Sequence, residues 1–195
     1  TVWLHRLAEA DGNRFAAAGT FGFLRNFSAN LPPESQWQFR DVPSAWDADR
    51  LAFRRAGFDT IVINPANFIQ YQPAHAEYDG DNPRGESPLT ATLRVMNWTE
   101  TKARGARFMI YEGWAEMAGV VRSFPPSARQ LRKYQAFNRA DYHQWYVDYV
   151  AALKRKKTDL DVTLIPVASV LARLLSETDL AELSAQDLYV DDAPH

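Results

Sequence analysis

The sequence contains no cysteine, no long apolar segment and almost no excess of one charge. Without cysteine, the chain forms no disulfide, no thiolate metal site and no cysteine nucleophile. No run approaches the roughly 18 apolar residues that span a bilayer. A formal net charge of −2 argues against a dedicated nucleic-acid-binding protein, because phosphate contacts need clustered Lys and Arg. The lack of cysteine leaves the compartment open, since both cytoplasmic and exported proteins can lack it.

Hydrophobic residues are abundant and supply enough material for a packed core. They make up 46% of the chain, and aromatic residues make up 13%. A chain of 195 residues has the size of one ordinary domain. We therefore expect a single domain over residues 1–195.

Short apolar segments alternate with helical patterns along the chain. The strands are predicted at 14–18, 59–64, 108–111 and 162–165, and the β-branched segment 59–64 is the clearest of them. The helices are predicted at 2–10, 44–57, 88–103, 127–156 and 167–175. This alternation indicates an α/β fold with a parallel sheet covered by helices on both faces, which is a three-layer α/β/α arrangement.

The residues that follow each predicted strand are the candidates for a functional site. Ligands of open parallel sheets bind beyond the carboxyl ends of the strands. The first strand is followed by residues 19–22, the second by residues 64–67 and the third by residues 112–114. Asp192 and His195 follow near the end of the chain.

The sharpest chemical pattern is Asp192, three residues before His195. A carboxylate at this spacing can fold back onto the imidazole, where it fixes the tautomer and stabilises the imidazolium that forms when histidine accepts a proton. The other three histidines are predicted to have packing or surface roles: His5, His75 and His143.

Three of these segments match blocks of one hydrolase family, in the family's order. Residues 192–195 match a closing Asp-x-x-His block, and Asn67 matches the asparagine of a Gly-x-Asn-Asp block, although its glycine and aspartate are absent here. Gly22 matches the glycine of the second block. On these motifs the chain resembles the SGNH, or GDSL-type, hydrolases. The resemblance implies a five-stranded, parallel, flavodoxin-like sheet, of which four strands are visible.

The family's first block, Gly-Asp-Ser-Leu, is not found in the sequence. In the family it follows the first strand and carries the nucleophilic serine. With the family's strand order of 2-1-3-4-5, omission of that strand would open a gap of about 9.6 Å, which is two inter-strand spacings. We therefore expect the natural protein to extend upstream of Thr1 with a strand and a serine-bearing turn, and we regard the sequence as truncated at both ends.

The resemblance implies acyl transfer without a metal or cofactor. A serine attacks the ester carbonyl, His195 acts as general base and then as general acid, and Asp192 orients His195. The side-chain amide of Asn67 and the backbone N–H of Gly22 stabilise the oxyanion.

The substrate-binding residues are expected to be Glu112 and Trp114 after the third strand, with Tyr71 from the long polar loop at 65–87. Aromatic faces beside a carboxylate suit a carbohydrate, so an acetylated saccharide is favoured over a lipid ester. The expected partner is therefore a small-molecule or saccharide ester, with no nucleic acid and no membrane span.

Two other functions stay open at this point. A non-catalytic domain with the same fold would bind a carbohydrate or another ligand, and the missing first block and altered third block favour it. A metal-assisted hydrolase would use an acidic group of ligands, drawn from Asp191, Asp192, His195, Asp79 and Asp81.

Overall fold

The structure, a computed structural model, describes residues 2–19, 24–31, 38–65 and 72–183. These residues form two compact units. One unit holds the described residues up to Ile61 together with Thr90–Arg107, and the other holds those of Val62–Leu89 and those from Phe108 onward. The single domain over residues 1–195 stays a prediction.

A small parallel sheet is present in the described part of the chain. Its strands are β1 (Thr60–Ile63), β2 (Arg107–Tyr111) and β3 (Val162–Ile165), and β2 lies in the centre. The register between β2 and β3 places Phe108 opposite Val162, and the pairing is parallel. The mixed α/β class and three of the predicted strands are therefore confirmed.

The helices alternate with these strands, as expected for parallel connections. They are α1 (Val2–Ala10), α2 (Leu24–Ala29), α3 (Pro88–Glu100), α4 (Ala128–Arg139), α5 (Asp141–Lys156) and α6 (Val167–Glu177). Ser127 and Gln130 form a capping box that starts α4. Within the described ranges, no helix is long and apolar enough to cross a bilayer.

The strand predicted at 14–18 is wrong. Its only sheet-like pairing with another described residue is a single bridge between Ala17 and Ser44. Ala17 donates its N–H to the carbonyl of Pro43, and the next rung of a parallel ladder would need an N–H from that same proline. Because proline has no N–H to give to Phe15, the pairing stops after one bridge.

Two predicted helices also differ from the structure. The helix predicted at 44–57 is replaced by turns and a short 3₁₀ helix, Phe53–Arg55, because the Ser44 hydroxyl bonds locally to the backbone of Trp46. The helix predicted at 127–156 is broken into α4 and α5 at Ala140, where φ is −108° and ψ is −100°. Alanine is the best helix former, so the residue at this position does not predict the break.

Most of the large buried side chains of the second unit come from β2, β3, α4 and α5. They include Phe108, Ile110, Tyr134, Tyr146, Tyr149, Leu153 and Val162. The alternation along β2, with Phe108 and Ile110 buried, fixes which face of the strand packs inward. The aromatic residues Tyr142, Tyr146 and Tyr149 of α5 thus belong to the core. The first unit has its own aromatic cluster, in which Phe53 contacts Trp46, Phe58 and Trp98.

Candidate functional site

Two of the predicted site residues lie in the described part of the second unit, and both follow β2. They are Glu112 and Trp114. The other predicted site residues lie outside the described residues: Gly22, Asn67, Tyr71, Asp192 and His195. Their roles therefore stay predictions, and the site is built from Glu112 outward.

Glu112 is a fully buried carboxylate at the carboxyl end of the central strand. Its backbone N–H donates to the carbonyl of Ile165 at 3.1 Å, so the ladder with β3 continues one residue past β2. Its side chain has 0% exposure. A buried carboxylate requires hydrogen-bond donors on its oxygens, and the structure supplies one to each oxygen.

The first donor is the backbone N–H of Ser169, which lies 2.9 Å from Oε1 of Glu112. Ser169 is the third residue of α6, so this N–H belongs to the first turn and has no acceptor within the helix. Pro166 precedes the helix and makes no side-chain cap. Glu112 therefore caps α6 from another element, with its negative charge at the positive end of the helix dipole.

The second donor is His143, the third residue of α5. Its Nδ1 lies 2.7 Å from Oε2 of Glu112. Because a carboxylate only accepts hydrogen bonds, Nδ1 carries the hydrogen in this contact. The imidazole is 29% exposed, and Nε2 has no hydrogen-bond partner among the described residues. A buried carboxylate thus holds one ring nitrogen and leaves the other at the surface.

The contact of His143 with Glu112 was not predicted, since the sequence alone favours a packing or surface role for this histidine. It lies 31 residues from Glu112 in the sequence, so no local motif joins the two. One weak signal was available. His143 lies three residues before the buried Tyr146 and seven before the buried Val150, at helical spacing for one face. It is therefore placed at the border of the buried face of α5.

Tyr146 lies one turn after His143 and is fully buried. Burial raises the pKa of Tyr146 well above that of a free tyrosine, and the negative charge of Glu112 adds in the same direction. Hydrogen bonds from the Tyr142 hydroxyl and the Gly113 backbone oppose this shift. Tyr146 is therefore a protonated hydroxyl beneath the site. Burial also raises the pKa of Tyr111, at the end of β2.

We expect Tyr146→Phe to weaken the alkaline sensitivity of folding. The folded state keeps this proton above the ordinary pKa of 10.0, whereas the unfolded chain releases it there. The contribution of Tyr146 to stability is therefore complete below about pH 10 and is lost as the pH rises further. Above about pH 10, the free energy of unfolding should fall less steeply in the variant than in the wild type, by up to about 1.4 kcal/mol per pH unit.

Urea unfolding of both proteins at a series of pH values checks this expectation. The wild type is the control, because its other tyrosines and lysines contribute equally to both curves. Parallel curves above about pH 10 would contradict a shifted Tyr146.

Trp114 lies two residues beyond Glu112, in a segment that α4 fixes. Asn138 accepts from the N–H of Ala115 at 2.9 Å, and the Tyr134 hydroxyl donates to the Ala115 carbonyl at 2.6 Å. The indole Nε1 of Trp114 is buried and has no hydrogen-bond partner among the residues that the structure describes. An indole nitrogen only donates, so Trp114 keeps an unused donor.

Tyr78, in the long loop at 65–87, is a packing residue. It is buried, with 5% exposure, and its hydroxyl donates to the carbonyl of Pro65 at 3.2 Å. Asn82 joins the same loop to the carbonyls of Tyr78 and Glu86. These contacts pack the described part of the loop onto itself. Among the described residues, no three acidic or histidine side chains form a group that could hold a metal ion.

Comparison with known protein families, with curated proteins and with solved structures finds no match to this chain.

Proposed function

We propose that this protein is a serine-dependent ester hydrolase of the SGNH, or GDSL, type that acts on an acetylated carbohydrate. The observation that carries the proposal is the Glu112 carboxylate at the carboxyl end of the central parallel strand. It is buried and held by His143 and by the first turn of α6. Parallel α/β proteins bind their ligands at this edge of the sheet, so a preorganised polar group there supports a binding or catalytic site.

The finer fold and the catalytic residues belong to the same proposal. The sheet is taken as part of a three-layer, flavodoxin-like arrangement, as the resemblance to the SGNH family implies. His195 removes the proton from the serine and returns it to the leaving alcohol, while Asp192 orients the imidazole. Gly22 and Asn67 supply the oxyanion donors. No serine of the sequence is assigned as the nucleophile.

The substrate preference rests on Glu112, Trp114 and Tyr71. An indole suits a saccharide, because aromatic faces pack against the apolar faces of sugar rings. The fully buried Glu112 carboxylate contributes by holding His143 in place. A lipid ester would offer no sugar ring for this packing.

Labelling of the full-length protein with a fluorophosphonate, followed by peptide mapping, tests the proposal. We expect one labelled serine and hydrolysis of acetylated xylo-oligosaccharides. Prior denaturation should abolish the labelling, because only a serine in a folded triad is sufficiently nucleophilic. Native protein that reacts at no serine would contradict the hydrolase.

We expect Asn67→Ala to lower kcat by roughly 10²–10³-fold while the protein folds normally, because an oxyanion donor acts mainly in the transition state. Steady-state kinetics on an acetylated xylo-oligosaccharide measures this loss, and Asn64→Ala in the same block is the matched control. Unchanged turnover of the Asn67 variant would remove this residue from the site.

A non-catalytic carbohydrate-binding domain is the second candidate. One observation favours it: both carboxylate oxygens of Glu112 already accept hydrogen bonds from the protein. The carboxylate is thus suited to holding other groups in place rather than to moving protons. Saccharide binding without fluorophosphonate labelling would support this candidate.

A further inference from the structure

We propose that His143 is a substrate-binding residue whose Nε2 forms a hydrogen bond with a hydroxyl group of a saccharide. This inference deepens the proposed function and rests on it for the location of the substrate. It assigns a role to a residue outside the Asp192–His195 pair and outside the oxyanion donors. His143 is thereby a determinant of carbohydrate specificity rather than a catalytic base.

The orientation of the ring is the first step of the argument. Glu112 accepts from Nδ1 at 2.7 Å, and its other oxygen is fixed by the N–H of Ser169. The end of β2, which carries Glu112, and the first turn of α6 thus hold the carboxylate, and the carboxylate holds the imidazole. A ring fixed in this way loses little conformational freedom when a ligand binds to it.

The exposure of the ring is the second step. A histidine that served only to satisfy Glu112 would need a single N–H, and its other nitrogen could be buried against a partner. Here the imidazole is 29% exposed, and Nε2 has no partner among the described residues. In the neutral ring Nε2 accepts a hydrogen bond, and in the protonated ring it donates one. A hydroxyl group can serve as the partner in either case.

The surroundings indicate the class of ligand. His143 is held at the carboxyl end of β2 through Glu112, and the same segment carries the aromatic ring of Trp114, whose indole Nε1 is itself buried. A ligand with hydroxyl groups can bind Nε2 of His143, and apolar ring faces suit an aromatic side chain. Saccharides have this combination, whereas simple alkyl or aryl esters have no hydroxyl group for Nε2.

Two substitutions of His143 separate its two nitrogens. In His143→Asn the side-chain amide stands near the position of Nδ1, so it can still donate to Glu112 while Nε2 is removed. In His143→Gln the longer side chain places an amide near the position of Nε2. His75→Asn, in the exposed part of the long loop, is the matched control.

The full-length protein is assayed with partially acetylated xylohexaose and with p-nitrophenyl acetate. We expect His143→Asn to lower kcat/KM about tenfold on the saccharide ester, as the loss of one hydrogen bond predicts. On p-nitrophenyl acetate the same variant should stay within about twofold, since this ester makes no contact that depends on Nε2. His143→Gln should recover part of the loss on the saccharide, and His75→Asn should match the wild type on both esters.

Calorimetric titration with deacetylated xylohexaose decides the inference independently of hydrolysis. Binding by the wild type that weakens about tenfold in His143→Asn supports the proposal, even if no serine reacts with the fluorophosphonate and the esterase proposal fails. Equal binding by both proteins overturns it, as does a wild type that binds no saccharide. An equal loss of kcat/KM on both esters would also overturn it, because His143 would then act on the reaction itself.

Discussion

Replacing Glu112 with alanine is expected to lower the free energy of unfolding by about 2–4 kcal/mol. The change leaves the Nδ1–H of His143 and the N–H of Ser169 without their acceptor, at contacts of 2.7 and 2.9 Å. It also opens a cavity, because the glutamate side chain is fully buried. The loss should concentrate at α6, whose first turn Glu112 caps.

Urea unfolding and amide hydrogen exchange measure the two parts of this expectation. Exchange at Ser169 should accelerate more than exchange in β1, because only α6 loses a cap. Glu112→Gln should be milder, since the amide oxygen can still accept from Ser169, although its NH₂ group faces the Nδ1 donor of His143. Glu182→Gln, at an exposed position, should change stability by no more than about 0.5 kcal/mol.

An alanine variant of Glu112 that is as stable as Glu182→Gln would contradict the capping role. Water would then satisfy both donors, and the helix would not depend on the carboxylate.

The sheet strands that local sequence could predict are those with continuous apolar residues. Residues 61–63 and 108–110 are apolar throughout, and such a continuous run is typical of a strand in a parallel sheet. The run at 14–18 has a similar pattern but forms only one bridge, because its neighbour in the structure is Pro43. That neighbour is unknown until the chain has folded, so the pattern of the run alone could not exclude a strand.

The break between α4 and α5 could not be predicted either. Ala140 favours a continuous helix, yet its backbone leaves the helical region there. After the break, α5 presents His143 beside Glu112 and buries Tyr146 and Tyr149. The free energy gained from these tertiary contacts exceeds the small preference of one alanine for the helical conformation.

Only those residues of the candidate site that directly follow a strand in the sequence could be predicted. Glu112 and Trp114 directly follow a strand, so the rule for the carboxyl ends of parallel strands locates them. His143 and Ser169 reach Glu112 from two other elements, and one of them contributes only its backbone N–H. A backbone donor leaves no trace in residue identity, which is why the helix cap was missed.

The two histidines with proposed roles, His195 and His143, are expected to differ in how strongly their replacement lowers kcat. Replacing His195 with alanine should lower kcat by about 10⁴–10⁶-fold on every ester, because the proposed general base of the serine is lost. Asp192→Asn should cost about 10⁴-fold, since the imidazole then takes the wrong tautomer. Steady-state kinetics on p-nitrophenyl acetate and on acetylated xylohexaose measures both losses, with His75→Ala as the control. A His195 variant within about tenfold of the wild type would contradict the triad. A loss confined to the saccharide, as expected for His143→Asn, would make His195 a binding residue and leave the serine without its base.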